Sequence, residues 1–259
     1  MPLRLNGAPV LLYHGVGKDA GGDPRYTVTS AQMAGHLDTI QRRGHPVVSL
    51  ADIVSRADGR DGVARVAITF DDGRASDLQH AFPLLAERGM VGEFFVNPGT
   101  MDRLGYLSWN EAREMARGGM RFQSHAYDHI YLTQLSGRAL ERQLLDSKRR
   151  IEDELGRAVE FLAAPYGDLN RCVRKAALAA GYRAVCTSWD WPARAGRETV
   201  SRVAVYARTT AEEMAPLLRG DPLPYLRRAG RTALLYPAKR AVLRVWPGRL
   251  TSREQEGGA

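Results

Sequence analysis

Three short stretches hold the residues able to do chemistry. Asp71 and Asp72 stand side by side at the end of an apolar, β-rich run, Arg65-Val-Ala-Ile-Thr-Phe-Asp-Asp-Gly73. Side chains alternate along a strand, so the two carboxylates start toward opposite sides and can take different tasks, one a free base and one bound to a metal. His125 and His129 are four residues apart, and on a helical turn they would share one face and hold one ion. Two imidazoles and one carboxylate suit zinc or a similar divalent cation and leave a position open. A Lewis acid on a carbonyl oxygen, with a base that takes a proton from water, is the equipment of amide hydrolysis.

The surrounding sequence must place these groups together. A short apolar run bounded by a turn signal reads as a buried parallel strand, whose last residues reach the rim of the sheet where α/β folds keep their sites. Strands are expected at Pro9–Val16, Val47–Leu50, Val66–Phe70, Val91–Asn97, Met120–Ser124, Glu160–Ala164, Arg183–Thr187 and Ser201–Tyr206. Helices are expected from Ser30, as the cap, to about Arg43, from Ala51, from Pro83 to Gly89, over Trp109–Arg117, from Ser136 to Gly156 and over 170–180. The helix after Ser136 carries the longest apolar stripe: Leu140, Leu144, Ile151, Leu155. Strands alternating with helices at this spacing predict a parallel sheet with helices outside, most simply closed as a barrel.

At 259 residues the chain has room for a sizeable core. Residues 219–259 hold nine Arg/Lys against three Asp/Glu, which is +6 of the net +8. The body at 1–218 is nearly neutral, which argues against nucleic acid as a partner. Cys172 and Cys186 lie outside any CxxC spacing and read as buried thiols in a reducing compartment. No run is long and apolar enough to span a bilayer, and Met1–Val10 lacks the pattern of a signal peptide. A cytoplasmic location follows as the expectation, with peripheral attachment at the inner membrane surface.

Thr69-Phe-Asp-Asp-Gly73 followed by Ser124-His-Ala-Tyr-Asp-His129 resembles the first two motifs of the polysaccharide deacetylases, the NodB-homology proteins of carbohydrate esterase family 4. The resemblance implies an irregular (β/α) barrel over about 9–207 and metal-dependent removal of N-acetyl groups from a sugar. It makes Asp71 the general base and assigns the metal to Asp72, His125 and His129, with zinc the expected ion. The family's Leu-x-His motif is missing near the C-terminal end, but the Tyr13-His14 strand ending resembles an exopolysaccharide-processing branch in which the histidine-bearing strand has moved to the front. His14 is therefore expected as the acid.

Ala163-Ala-Pro-Tyr166 stands where the family shows Arg-x-Pro-Tyr. Pro165 and Tyr166 match and are expected near the substrate, with the Tyr166 N–H toward the oxyanion. The arginine that would orient the base is replaced by Ala163. Asp190-Trp191 resembles a further motif, in which the aspartate supports the acid histidine and the tryptophan packs near the acetyl group. His36, His45 and His80 are expected to have no catalytic role.

The basic tail mixes Arg227, Arg228, Arg231, Lys239, Arg240 and Arg244 with Leu226, Leu234, Leu235, Tyr236, Val242 and Trp246. That suits an amphipathic helix pair broken near Pro237, able to lie on an anionic membrane through 222–250. The leading expectation is an N-deacetylase acting on an N-acetylhexosamine-containing glycan, an exopolysaccharide or its lipid-linked precursor. A related amidohydrolase for a small amide or imide, and a catalytically silent glycan-binding protein, stay open at this point.

Overall fold

The computed structural model describes residues 5–18, 20–55, 64–194 and 196–230. Its strands are β1 (Val10–Tyr13), β2 (Gly15–Val16), β3 (Thr27–Val28), β4 (Ala67–Asp71), β5 (Glu93–Val96), β6 (Arg121–Ser124), β7 (Phe161–Ala163), β8 (Ala184–Thr187), β9 (Thr199–Ser201) and β10 (Val203–Ala204). Eight of them form one parallel sheet in the order β10-β1-β4-β5-β6-β7-β8-β9, with β2 and β3 paired apart. The two edges, β9 and β10, are separated in sequence by Arg202 alone. One short segment therefore pairs with β8 at its start and β1 at its end, and the sheet is a nearly closed barrel, as the strand–helix alternation predicts.

The alternation of side chains along these strands builds two cores. Leu11, Tyr13, Ile68, Phe70, Phe94, Val96, Phe122, Leu162 and Val185 face the helices. Val10, Ala67, Phe95, Phe161, Ala163, Ala184, Cys186 and Val200 fill the barrel, with Leu50 and Ile53 of the helix Leu50–Ser55 packed against them. The buried Glu93 accepts from the Leu50 N–H (2.9 Å) and from Gln123 (2.9 Å), fixing that helix to the barrel.

Several local expectations are corrected. Thr29, not Ser30, caps the first helix, through a reciprocal capping box with Gln32. The stretch Val47–Leu50 makes one bridge, Val47 to Val66, rather than a strand. The segment from Ser201 to Tyr206 is the end of one barrel strand and the start of another, because Arg202 interrupts it. Cys172 is exposed; Cys186 is the buried thiol, pushed up to about 12 by burial.

Residues 222–230 are helical and rest on the barrel: Tyr225 is fully buried and donates to the Leu217 carbonyl (2.9 Å). The rest of the basic tail, from residue 231, lies outside the described residues, and with it the helix pair expected around Pro237. No helix among the described residues is long and apolar enough to cross a membrane.

Candidate active site

Parallel strands all deliver their C-terminal ends to one rim, and every residue singled out by type and spacing lies there. His14 follows β1, Asp71 ends β4 and Asp72 follows it, His125 follows β6, Pro165 and Tyr166 follow β7, and Asp190 and Trp191 follow β8.

The Asp71 side chain points into the barrel, where Arg202 meets it. Guanidinium Nη1 and Nη2 donate to the two carboxylate oxygens at 2.6 and 2.7 Å, with both side chains almost wholly buried. Arg202 Nε also donates to the Thr187 carbonyl (3.2 Å), and the guanidinium lies over the Phe95 ring at 5.0 Å. Burial alone would raise the Asp71 carboxyl; the Arg202 charge, then that of His125, brings it below the usual carboxylate range. Arg202 thus does what Ala163 cannot do, from the strand segment that closes the barrel. The sequence held one signal for it, a lone arginine among Val200, Val203 and Val205.

Asp72 leaves the strand in the left-handed conformation (φ 80°), which defeats the simple alternation and turns it toward the same site as Asp71. Its Oδ1 lies 3.6 Å from His125 Nε2 and 3.4 Å from His129 Nε2. His125 Nε2 is also 3.8 Å from Asp71 Oδ2. The two imidazoles do not share a helical turn. The chain from 125 to 131 is a loop, with positive φ at Ala126 (62°) and His129 (43°). Asn97 holds it by donating to the carbonyls of His125 and, at 3.2 Å, Ala126. Gln143 accepts from the N–H groups of Tyr127 (3.0 Å) and Asp128 (2.9 Å) and donates to the Asp128 carboxylate (2.8 Å). Asn97 and Gln143 were absent from the sequence reading. Their signals were weak ones, a polar strand ending and a glutamine inside the apolar stripe of the helix Gly137–Leu155.

The donors fit a divalent ion. Tetrahedral coordination at bond lengths of about 2.0–2.1 Å separates ligand atoms by roughly 3.3 Å. The Asp72–imidazole distances are close to that, and all three donors fall within 4.8 Å of one another. His125 Nδ1 donates to the Ala163 carbonyl (2.9 Å), which fixes the ring and leaves the Nε2 lone pair toward Asp72, free to bind a metal ion. Burial would raise the Asp72 carboxyl, yet the charges of His129, His14 and His125 drive it far below the carboxylate range.

Of six non-glycine residues with positive φ among those described, four are residues the sequence singled out: Asp72, His129, Tyr166 and Asp190. Backbone strain of this kind persists where the surroundings dictate a geometry. Tyr166 (φ 60°) packs edge-on against His129 at 4.6 Å and stacks on Tyr131 at 4.0 Å. His14 packs on Tyr26 at 4.9 Å, and its buried Nδ1 has no hydrogen-bond partner among the described residues. Asp190 Oδ1 accepts from the Ala204 N–H at 3.1 Å, beside the strand that ends in Tyr13. Trp191 packs on the outer core and edge-on against Tyr225 (6.2 Å). Its neighbour Trp189, 40% exposed, is the tryptophan that the rim offers to solvent among the described residues. His36 is bound inside, accepting from Tyr13 and donating to the Thr209 carbonyl.

One further carboxyl sits beside the donor set. Asp77 is fully buried and neither oxygen has a hydrogen-bond partner among the described residues. Burial, reinforced by the charge of Asp72, pushes it well above the carboxylate range. A folded state that keeps this proton above the unfolded value of about 3.9 loses stability as pH rises. Asp77→Asn should therefore leave the metal-free protein little changed at pH 4 and raise its Tm at pH 7.5 by about 2–4 °C, the shift that 1 kcal/mol gives in a domain of this size. Equal destabilisation at both pH values in thermal melts would overturn this account of Asp77.

Comparison with known proteins agrees with the geometry. The family model for polysaccharide deacetylases matches residues 58–185. YxkH of Bacillus subtilis, provisionally named a polysaccharide deacetylase, is 27% identical over 177 residues, 68% of this chain and 62% of that protein. A peptidoglycan-N-acetylglucosamine deacetylase of Bacillus cereus is 30% identical over 141 residues, 52% of this chain and 63% of the relative. The chain thus spans about three fifths of the length of these two curated relatives. The structure of IcaB from Ammonifex degensii superposes with a TM-score of 0.72 at 26% identity, covering 85% of this chain and all of that one. The matched stretch carries Asp71, Asp72, His125 and His129 on one barrel rim, and over that stretch the chain is similar to the polysaccharide deacetylases.

Proposed function

We propose that the protein is a metal-dependent N-deacetylase acting on an N-acetylhexosamine-containing glycan, an exopolysaccharide or its lipid-linked precursor. The observation that carries this is the pairing of tasks between adjacent carboxylates: Asp71 is held ionised by Arg202, while Asp72 faces two imidazoles at metal-ligand spacing. Asp72, His125 and His129 would hold a divalent ion, zinc in this reading, and when bound it would supply Lewis acidity for hydrolysis of the acetamide. Asp71 takes the proton from the attacking water, and Arg202 fixes which way its oxygens point. His14, one strand away, gives a proton to the departing amine. Asp190 steadies the β1–β10 edge from which His14 projects. Tyr166 and Pro165 wall the site beside His129, and Trp191 backs the strand end that carries Asp190. The exposed Trp189 supplies an aromatic face of the kind that a sugar ring covers, which favours a glycan over a small amide.

Acetate release from N-acetylglucosamine oligomers tests the reading directly. Metal-loaded protein should release acetate, chelator-stripped protein should lose at least 90% of the rate, and added zinc should restore it. Tight metal binding with no acetate from any oligomer would defeat the glycan reading.

A further inference from the structure

The rim beside Asp72 carries a cation that the proposed chemistry does not use. Arg74 is fixed at its backbone by the hairpin-like contact of Gly73–Ala75 with Gly105–Leu107, through Ala75 N–H to the Gly105 carbonyl (3.0 Å) and Leu107 N–H to the Gly73 carbonyl (2.9 Å). Its guanidinium lies over the Tyr106 ring at 4.9 Å, and the side chain is only 20% exposed. Of its five N–H donors, the one polar contact among the described residues is Nη2 to Asp72 Oδ2, long at 3.5 Å.

On its other side the wall is reduced to backbone. Gly21 and Gly22 both have left-handed φ (68° and 79°), and a Cβ on Gly22 would come within 3.1 Å of Arg74 Nη2. The same glycines line a cavity of about 290 Å³ together with Gly17, Pro24, Thr27 and the exposed Lys18. The Arg74 guanidinium thus lies against two glycines that line a cavity, and a second cation, Lys18, borders that cavity.

Charge completes the argument. Asp71 is spent on Arg202 by two short bonds. Asp72 belongs to the metal donor set, so a bound dication takes the charge that Arg74 now shares. The buried Asp77 makes no ion pair or side-chain hydrogen bond with Arg74 among the described residues. A largely desolvated guanidinium beside a dication is left wanting an anion, and its fork matches a carboxylate or phosphate in two parallel bonds.

We propose that Arg74 is a specificity residue that receives an acidic substituent, carboxylate or phosphate, carried by the glycan next to the N-acetyl group that is removed. This rests on the N-deacetylase reading and names the substrate class within it.

The test compares matched N-acetylglucosamine oligosaccharides: neutral, carboxylated through an O-linked lactyl group, and phosphorylated at O6. Wild type should show kcat/KM at least roughly tenfold higher for one acidic form than for the neutral one, as a charge-assisted pair gives. Which acidic form is preferred identifies carboxylate or phosphate as the group read. The ratio should fall to about one in Arg74→Gln and be kept in part by Arg74→Lys. Calorimetry on metal-loaded Asp71→Asn protein should give the same order of affinities without turnover, weakening as salt rises. Equal rates and equal affinities for neutral and acidic oligomers would overturn the role of Arg74 while leaving the deacetylase reading standing. Preferential binding of acidic oligomers with no acetate released by wild type would instead defeat the deacetylase reading and leave the anion site in place.

Discussion

Arg202→Gln is expected to lower kcat/KM for acetate release by about 100-fold, the scale of loss when a reacting group is misplaced by about an ångström. The expectation follows from geometry. The guanidinium fixes both oxygens of Asp71 at 2.6 and 2.7 Å in a place closed to water, and no other cation among the described residues bonds to that carboxylate. The same change must move the pH profile. With Arg202 present the Asp71 carboxyl is held below the usual range, so the acid limb of kcat/KM lies below about pH 4. Without it burial dominates, the carboxyl rises, and the acid limb moves toward neutrality.

Stability follows with the same sign. A depressed carboxyl contributes stability above its unfolded value, and that contribution is lost as pH falls through the folded one. Removing the guanidinium leaves a buried charge uncompensated, at a cost of about 3–5 kcal/mol at pH 7 in urea titration. An acid limb that stays in place with rate and stability unchanged would show that Arg202 is not the partner that sets the base.

Asp71→Asn and Asp72→Asn should separate the two carboxylates cleanly. Asp71→Asn is expected to cut the rate by about 10²–10⁴-fold, the worth of a positioned general base, while the protein still binds one metal ion. The ion is kept because Asp72, His125 and His129 are untouched, and His125 stays oriented by the Ala163 carbonyl. Asp72→Asn should instead weaken metal binding by more than about 100-fold, beyond what loss of an outer-shell partner costs. Metal content by atomic absorption and affinity by calorimetry, run beside circular dichroism to confirm folding, distinguish the two. Retained metal in Asp72→Asn with loss in Asp71→Asn would reverse the assignment.

The two carboxylates mark how far local residue pattern reaches. The motif Thr69-Phe-Asp-Asp-Gly73, the His125–His129 pair and His14 were legible because each sits at the end of a short apolar run, and a strand end in a parallel sheet has only one rim to go to. The alternation of apolar runs and helical stripes likewise specifies the barrel. Helix ends are legible where a local cap dictates them, as at Gly156; at the first helix Thr29 and Ser30 are both good caps, and only the reciprocal bond with Gln32 chooses between them.

What the sequence by itself determined, then, is the set of chemically able groups and the edge they occupy, because residue type and period are local properties. Tertiary structure alone decided which groups meet. Arg202 reaches Asp71 across 131 positions because closure of the barrel brings the β9–β10 seam to β4, and no local pattern carries a contact of that span. Asp72 and His129 face the same point because their backbones turn left-handed, a conformation that costs energy locally and is held by Asn97, Gln143 and the packed loops around them. The guanidinium missing at Ala163 could be recognised as absent from the chain's order, but its replacement could be found only in space.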